Sequence, residues 1–157
     1  MRRGFAGLIA GLLMFSLLGC ALFTLMSDQS NVRRLKIMGS ATEPNFHDGQ
    51  IVNVEEDQVK KLQRGDVILF AVKEGKQYLK RLIGLPGETV EIRDGKVYIN
   101  DKVLAEPYIK EPARSNSLPT ALGSDEYFVL GDNRNNSADS RGFGPISGAD
   151  IRGRVKQ

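Results

Sequence analysis

A lysine inside an apolar stretch is the first residue of this chain whose type and setting could do chemistry. The stretch Lys76 to Ile83 is predicted to form a strand. Strand alternation gives Lys80 two apolar neighbours on its own face, Tyr78 and Leu82, and directs Arg81 to the other face. Burial lowers the pKa of a lysine amine, as a general base near neutral pH requires. The alternative is a lysine that reaches up to solvent from a strand edge.

A turn of small residues, Met38 to Phe46, is a second candidate. Gly39 lets the backbone approach a ligand closely or adopt positive φ, and Pro44 stiffens the exit of the turn. Such a turn can present a hydroxyl and several backbone N–H groups to an incoming carbonyl. The alternative is a plain loop between two strands.

A third candidate is the polar segment Gly131 to Gly144, which follows an apolar run. It could be a solvated loop, or a calcium loop with ligands from Asp132 and Asn136, although Arg134 would then occupy a ligand position.

The same segment could also form a packed hydrogen-bonding unit. In that interpretation Asp139 pairs with Arg141, and Ser137 holds a neighbouring amine in place.

Composition excludes several kinds of site. The chain has one cysteine and one histidine, which excludes an internal disulfide framework and an ordinary zinc site, and no other metal or cofactor is expected. His47 lies in a polar turn and is predicted to be an exposed loop residue, so a hydrolytic site would need lysine as its base. Without Arg2 and Arg3 the 22 basic residues fall to 20, against 19 acidic ones, so no basic face argues for nucleic acid.

The amino-terminal residues 1–26 are predicted to be a membrane anchor. Gly4 to Met26 contains 23 residues without a charge. As a helix it would measure about 34 Å, enough to cross a hydrocarbon core of roughly 30 Å. A cleaved lipoprotein signal with Cys20 as the lipidated residue is the alternative, but the sequence stays apolar after that cysteine. Basic residues flank both ends, so they do not decide the orientation, although Arg33, Arg34 and Lys36 could lie against lipid headgroups.

The rest of the chain is predicted to be a linker, residues 27–35, and a compact, mostly antiparallel β domain, residues 36–157. Period-two patterns and frequent turn residues support this mainly β fold class. Asp94-Gly95 predicts a hairpin, Val59 to Leu62 a helical turn, and Lys110 to Ser124 a loop. The other predicted strands are Gln50 to Val54, Val67 to Val72, Thr89 to Arg93, Lys96 to Ile99, Tyr127 to Leu130 and Ile151 to Val155.

Together these stretches resemble the type I signal peptidases, which are membrane-anchored serine–lysine peptidases. Tyr78 to Glu88 looks like the lysine box of that family, Arg64 to Ile68 resembles a further box, and Gly131 to Arg141 looks like the late box. The resemblance covers nearly the whole chain, including the apolar amino terminus.

One box departs from the family pattern, which runs Gly, any residue, Ser, Met, any residue, Pro, Thr. When the chain is aligned on Gly39 and Pro44, Ala41 stands at the nucleophile position, Thr42 replaces the methionine and Asn45 replaces the threonine. The loss of a nucleophilic hydroxyl costs on the order of 10⁶ in turnover. The chain as written is therefore expected to have little or no activity.

Ser40 is a possible substitute nucleophile, but in an extended turn its side chain would point away from that of residue 41.

The resemblance implies a role for each remaining candidate. Lys80 would be the general base, and Ser137, Asp139 and Arg141 would support it. The expected partners are signal peptides that end in an Ala-x-Ala site and the membrane lipid, with the amino terminus in the cytoplasm and the β domain outside the cell membrane. The residues expected to bind substrate are Ile37, Met38, Gly39, Tyr78 and Leu79.

Two other functions remain as alternatives. One is a non-catalytic protein that binds signal peptides or partners at the membrane. The other is a self-cleaving repressor-type serine–lysine peptidase, against which the apolar amino terminus and the lack of a DNA-binding segment argue.

Overall fold

The structure, a computed structural model, describes residues 31–56, 61–72 and 75–156. The predicted membrane anchor, the lipidation alternative at Cys20 and the first half of the predicted turn Val59 to Leu62 lie outside the described residues. Within the part of the chain that is described, no helix has the length and apolar character needed to cross a membrane.

The described residues form two antiparallel sheets. The larger sheet has seven strands in the spatial order β1-β2-β11-β3-β4-β9-β10. These strands are β1 (Val32–Lys36), β2 (Ile51–Glu55), β3 (Val67–Ala71), β4 (Gln77–Gly84), β9 (Glu126–Leu130), β10 (Ile146–Ser147) and β11 (Ile151–Val155). The smaller sheet has the order β7-β6-β5-β8, with β5 (Thr89–Arg93), β6 (Lys96–Ile99), β7 (Lys102–Val103) and β8 (Ser117–Ala121). The predicted mainly antiparallel β fold is therefore confirmed for these residues.

The position of each strand in the sheet explains its sequence pattern. In β2, Val52 and Val54 are buried while Ile51 and Asn53 are exposed, because only one face of this strand meets the core. In β3, Val67 to Phe70 are all buried. This strand lies between β11 and β4 near the middle of the sheet, so both of its faces are covered.

The hairpin between β5 and β6 forms at the dipeptide that predicted it. Asp94 and Gly95 have φ values of 50° and 74°. Two consecutive residues with positive φ make the tight turn whose twist matches the flanking strands. A buried cluster that includes Val90 and Ile92 of this sheet and Ile83 and Phe128 of the larger sheet then packs the two sheets together.

Two boundaries differ from the prediction. The predicted loop Lys110 to Ser124 contains β8, which pairs with β5. Pro119 argued against a strand because it cannot donate a backbone hydrogen bond, but β8 lies at the edge of its sheet, where proline is tolerated. Likewise β1, Val32–Lys36, begins inside the stretch predicted to be a linker and pairs with β2 along its whole length.

Candidate active site

The small-residue turn that follows β1 is held at both ends by hydrogen bonds. The Gly39 N–H donates to Asp48 Oδ1 over 2.7 Å, and Gly39 has a φ of 89°, which glycine adopts without strain. At the far end the Phe46 N–H donates to the Thr42 carbonyl over 3.0 Å. The backbone around Ala41 is thereby fixed.

The polar segment that follows β9 packs directly against this turn. The Asn133 N–H donates to the Ala41 carbonyl over 3.1 Å, and Asn133 Nδ2 donates to the Ser40 carbonyl over 3.1 Å. Asn136 Nδ2 donates to Ser40 Oγ over 2.9 Å. The segment is therefore a packed hydrogen-bonding unit rather than a solvated loop, and it turns the Ser40 hydroxyl towards Asn136.

Strand β4 has one edge that is only half paired. It pairs with β3 from Gln77 to Arg81, and on its other side it pairs with β9 only from Arg81 to Gly84. The backbone from Gln77 to Lys80 therefore has no strand beside it on that side among the described residues. Unpaired strand edges are sites at which an extended peptide can add by backbone hydrogen bonding.

Lys80 lies at the end of this open edge and is buried, with 4% of its surface exposed. Its Nζ donates to the Leu79 carbonyl over 3.1 Å and lies 5.3 Å from the centre of the Tyr78 ring. Burial lowers the pKa of the Lys80 amine, and the charges of Asp139 and Asp132 oppose that shift. The geometry agrees with a buried lysine rather than one that reaches up to solvent.

Ala41 and Lys80 line one cavity, which we call the Lys80 cavity, with a volume of about 270 Å³. Every residue predicted to bind substrate lines it as well, whereas Ser40 does not. Apolar side chains of Leu35, Ile37, Leu69 and Leu79 form much of its wall. The structure thus brings together the predicted base, the predicted nucleophile position and an apolar recess beside an open strand edge.

Comparison with known proteins shows which family the chain belongs to. The family model described as "Signal peptidase, peptidase S26" matches residues 9–157. The chain belongs to this signal peptidase family.

Several curated signal peptidases resemble the chain over most of its length. Signal peptidase I T of Bacillus subtilis (strain 168) is 41% identical over 134 residues, which are 76% of this chain and 69% of that protein. Signal peptidase I V of the same strain is 39% identical over 134 residues, which are 75% of this chain and 80% of that protein. The crystal structure of a signal peptidase I from Enterococcus faecalis V583 is 38% identical, has a TM-score of 0.55, and covers 60% of this chain and 97% of the crystallised one.

In this member of the family the predicted pairing of Asp139 with Arg141 is confirmed. The two side chains form an ion pair with Arg141 Nη2 2.7 Å from Asp139 Oδ2. Asp139 also accepts from the Gly131 N–H over 3.1 Å and caps the short helix α1, Ser140–Phe143. Arg141 Nη2 further donates to the Arg134 carbonyl over 2.6 Å. The Asp139 carboxylate therefore links Gly131, at the start of the polar segment, to Arg141 near its end.

The interaction expected of Ser137 is absent. Its Oγ is buried and has no hydrogen-bond partner among the described residues, so it does not hold the Lys80 amine in this structure. Gly131 packs tightly here, because a Cβ at that position would clash with the Ser137 side chain and lie 2.7 Å from the Ala41 carbonyl oxygen. Because Gly131 has no side chain, the Ser137 side chain and the Ala41 carbonyl can both pack against its backbone.

Sequence reasoning missed two buried ion pairs beside the site. Arg81 is directed away from Lys80 as expected, but it is buried and makes two hydrogen bonds to Asp132, of 2.8 and 2.6 Å. Arg134 pairs with Glu106, again through two hydrogen bonds. Because Arg81 occupies both Asp132 oxygens, the calcium-loop alternative is not supported.

In the sequence, Asn45 is distinguished only by its departure from the family pattern. Its Nδ2 donates to Asp132 Oδ2 over 2.9 Å and to the Tyr108 carbonyl over 2.6 Å. Asparagine at this position therefore ties the end of the turn to the buried ion pair. His47 is exposed, as predicted.

Replacing Lys80 with methionine is expected to raise the free energy of unfolding at neutral pH, because a buried amine with a lowered pKa destabilises the fold while it carries a proton. Between the lowered pKa and the ordinary value of 10.5, the unfolded chain binds more protons than the native one. The stability of the unmodified protein therefore rises with pH through that window, and the difference from Lys80→Met shrinks. Urea unfolding at several pH values measures this.

Lys102→Met, at an exposed position in β7, is the matched control and should show no such trend. A difference between Lys80→Met and the unmodified chain that stays constant up to pH 10 would contradict the lowered pKa.

Proposed function

We propose that this protein binds the signal peptides of exported preproteins in the Lys80 cavity. We also propose that Ala41 occupies the nucleophile position, so that the chain as written has little or no peptidase activity. The observation that carries both proposals is that Ala41, Lys80 and all five residues expected to bind substrate line a single cavity. The proposed substrate class, signal peptides, follows from the two signal peptidase I relatives of Bacillus subtilis, which are 39 to 41% identical to this chain.

The proposed chemistry requires a serine at position 41. Its hydroxyl would attack the carbonyl at the end of the signal peptide, and the neutral amine of Lys80 would accept the hydroxyl proton. The proton would then pass to the leaving amine, and the same lysine would activate the water that releases the acyl group. The backbone N–H of residue 41 would donate to the oxyanion, a type of contact worth about 3–4 kcal/mol.

The substrate would bind as an extended strand along the open edge of β4, residues 77–80. Backbone hydrogen bonds would supply affinity, and the apolar wall of the cavity would supply selectivity. The Lys80 cavity has a volume of about 270 Å³, which two substrate side chains would share. This volume favours small residues, as in an Ala-x-Ala site.

We further propose that residues 1–26 anchor the protein in the cell membrane with the amino terminus in the cytoplasm. The uncharged run Gly4 to Met26 has the required length. Arg33, Arg34 and Lys36 follow it in β1 and are exposed, which suits contact with anionic lipid headgroups.

A non-catalytic signal-peptide-binding protein is the second candidate. Ala41 itself favours it, as does the buried Ser137 hydroxyl, which has no hydrogen-bond partner in the part of the chain that the structure describes. This candidate predicts that peptide binding persists in Lys80→Ala and that no cleavage appears even when residue 41 is serine.

Peptide binding by the full chain in detergent micelles tests the part that both candidates share. A fluorescent peptide that ends in an Ala-x-Ala site should bind saturably. Replacing its last alanine with phenylalanine should weaken binding about tenfold, because the larger side chain overfills the cavity. Equal binding of both peptides would contradict the proposed cavity, and no binding of either would contradict the proposed substrate.

A further inference from the structure

The turn that carries residue 41 ends in a side chain that reaches two groups far away in the chain. Asn45 Nδ2 donates to Asp132 Oδ2 over 2.9 Å and to the Tyr108 carbonyl over 2.6 Å. We propose that Asn45 is a positioning residue, which fixes the turn against β4 and thereby sets how closely the side chain of residue 41 approaches the Lys80 amine. The inference rests on the roles proposed for residue 41 and Lys80.

The Asp132 carboxylate is shared between this turn and the strand that carries the base. Its Oδ1 accepts from Arg81 Nε over 2.8 Å, and its Oδ2 accepts both from Arg81 Nη2 over 2.6 Å and from Asn45 Nδ2. Arg81 follows Lys80 directly in β4. A movement of Asn45 away from Asp132 would therefore displace the turn relative to the residue next to the base.

The two groups that accept from Asn45 are themselves held in place. Asp132 and Arg81 are both buried, and the guanidinium carbon of Arg81 lies 4.2 Å from the centre of the Tyr108 ring. The Lys110 N–H donates to the Asp132 carbonyl over 2.9 Å. Asn45 is thus attached to a fixed part of the fold. Because Asn45 itself is exposed, replacing it should leave the core intact.

The turn is short enough to pass a displacement from Asn45 to residue 41. The Phe46 N–H donates to the Thr42 carbonyl over 3.0 Å, and this hydrogen bond closes a single backbone turn that contains Asn45. Thr42 follows residue 41 directly. Little free rotation therefore remains between Asn45 and the position of the nucleophile.

The amide of asparagine suits this double contact. Both acceptors are oxygen atoms, so the Asn45 nitrogen rather than its oxygen must face them, and its two hydrogens can serve one acceptor each. The threonine of the family pattern has a single hydroxyl hydrogen and could serve only one acceptor. The departure at residue 45 therefore adds one donor to the end of the turn.

A thiol placed at residue 41 reports how close the Lys80 amine lies. Ala41→Cys is made in the full chain together with Cys20→Ser, which removes the only other cysteine. A neighbouring lysine favours the thiolate, the form that iodoacetamide alkylates, and so lowers the pKa of the thiol. In detergent micelles, the ratio of the alkylation rate at pH 7 to that at pH 10 measures this effect separately from access to the thiol. Adding Lys80→Met should lower the ratio about tenfold.

Adding Asn45→Ala instead should lower the ratio about threefold, because a less restrained turn lets the thiol move away from the amine. Asn45→Thr should keep part of the ratio, since it keeps one donor. Asn53→Ala is the matched control and should leave the ratio unchanged, because Asn53 is exposed in β2 and does not line the Lys80 cavity.

Urea unfolding of the same proteins separates positioning from a general loss of stability. A ratio that falls with Lys80→Met but not with Asn45→Ala would overturn the inference, even if Asn45→Ala lowered the urea midpoint, and would leave the proposed function intact. A ratio that does not respond to Lys80→Met would show that the amine does not lie beside residue 41. The catalytic roles in the proposed function would then fail, and the inference would fail with them.

Discussion

Replacing Ala41 with serine is expected to raise the rate of preprotein cleavage by on the order of 10⁴ to 10⁶, since the loss of a nucleophile costs up to about 10⁶ in related chemistry. The backbone at position 41 is already fixed by the Asn133 N–H, and the new hydroxyl would enter the cavity that Lys80 lines. We expect the lower end of the range because Ser137 does not orient the lysine amine. The measurement is cleavage of a model preprotein with an Ala-x-Ala site, by the unmodified chain and by Ala41→Ser side by side.

Two further variants show whether any activity comes from the proposed dyad. Adding Lys80→Ala to Ala41→Ser should return the rate close to that of the unmodified chain, because the base is lost. Ser40→Ala should have little effect on the Ala41→Ser protein, because the Ser40 hydroxyl bonds to Asn136 and does not line the cavity.

Full activity of the unmodified chain, abolished by Ser40→Ala, would contradict the silent-nucleophile proposal and make Ser40 the nucleophile. Failure of Ala41→Ser to cleave while peptide binding persists would favour the non-catalytic candidate.

Asp132→Asn is expected to lower the free energy of unfolding by about 3–5 kcal/mol, the usual cost of leaving a buried charge without its partner. Asp132 is 1% exposed and Arg81 is 6% exposed, so water cannot replace the lost carboxylate charge. Asparagine keeps the shape of the side chain, which limits the change to charge and hydrogen bonding. Urea unfolding of the full chain at pH 7 measures the difference.

Glu43→Gln is the matched control for this prediction. Glu43 also forms an ion pair, with Lys110 Nζ at 2.9 Å, but the two side chains are 27% and 43% exposed. Such a pair contributes about 1 kcal/mol or less. Equal losses in the two variants would show that burial does not set the value of the Arg81–Asp132 pair.

Local patterns in the sequence predicted most of the strands. The alternation in β2, the apolar run of β3 and the Asp94-Gly95 turn are each set by residues close together in the chain. Strand β8 was missed because Pro119 disfavours a strand, and only the position of β8 at the edge of its sheet resolves that conflict.

The residues of the candidate site that match the family's boxes could be predicted from the sequence. The hydrogen bonds and ion pairs between residues far apart in the sequence could not. Arg81 and Asp132 are 51 positions apart, and Asn45 and Asp132 are 87 apart. Nothing in either local stretch signals the other partner. Ser137 shows a different limit. It matches a motif of the family, but the hydrogen bond expected of its hydroxyl is not formed among the described residues.

The half-paired edge of β4 also restricts the backbone of anything that binds along it. From Gln77 to Lys80 the backbone N–H and C=O groups on the side away from β3 have no neighbouring strand among the residues that the structure describes. A helical segment already uses its backbone N–H and C=O groups in hydrogen bonds within the helix, so they are not free to pair with a strand edge. An apolar helix would therefore have to unwind its last few residues to bind along this edge. The protein would thus select its targets by backbone conformation as well as by side chain.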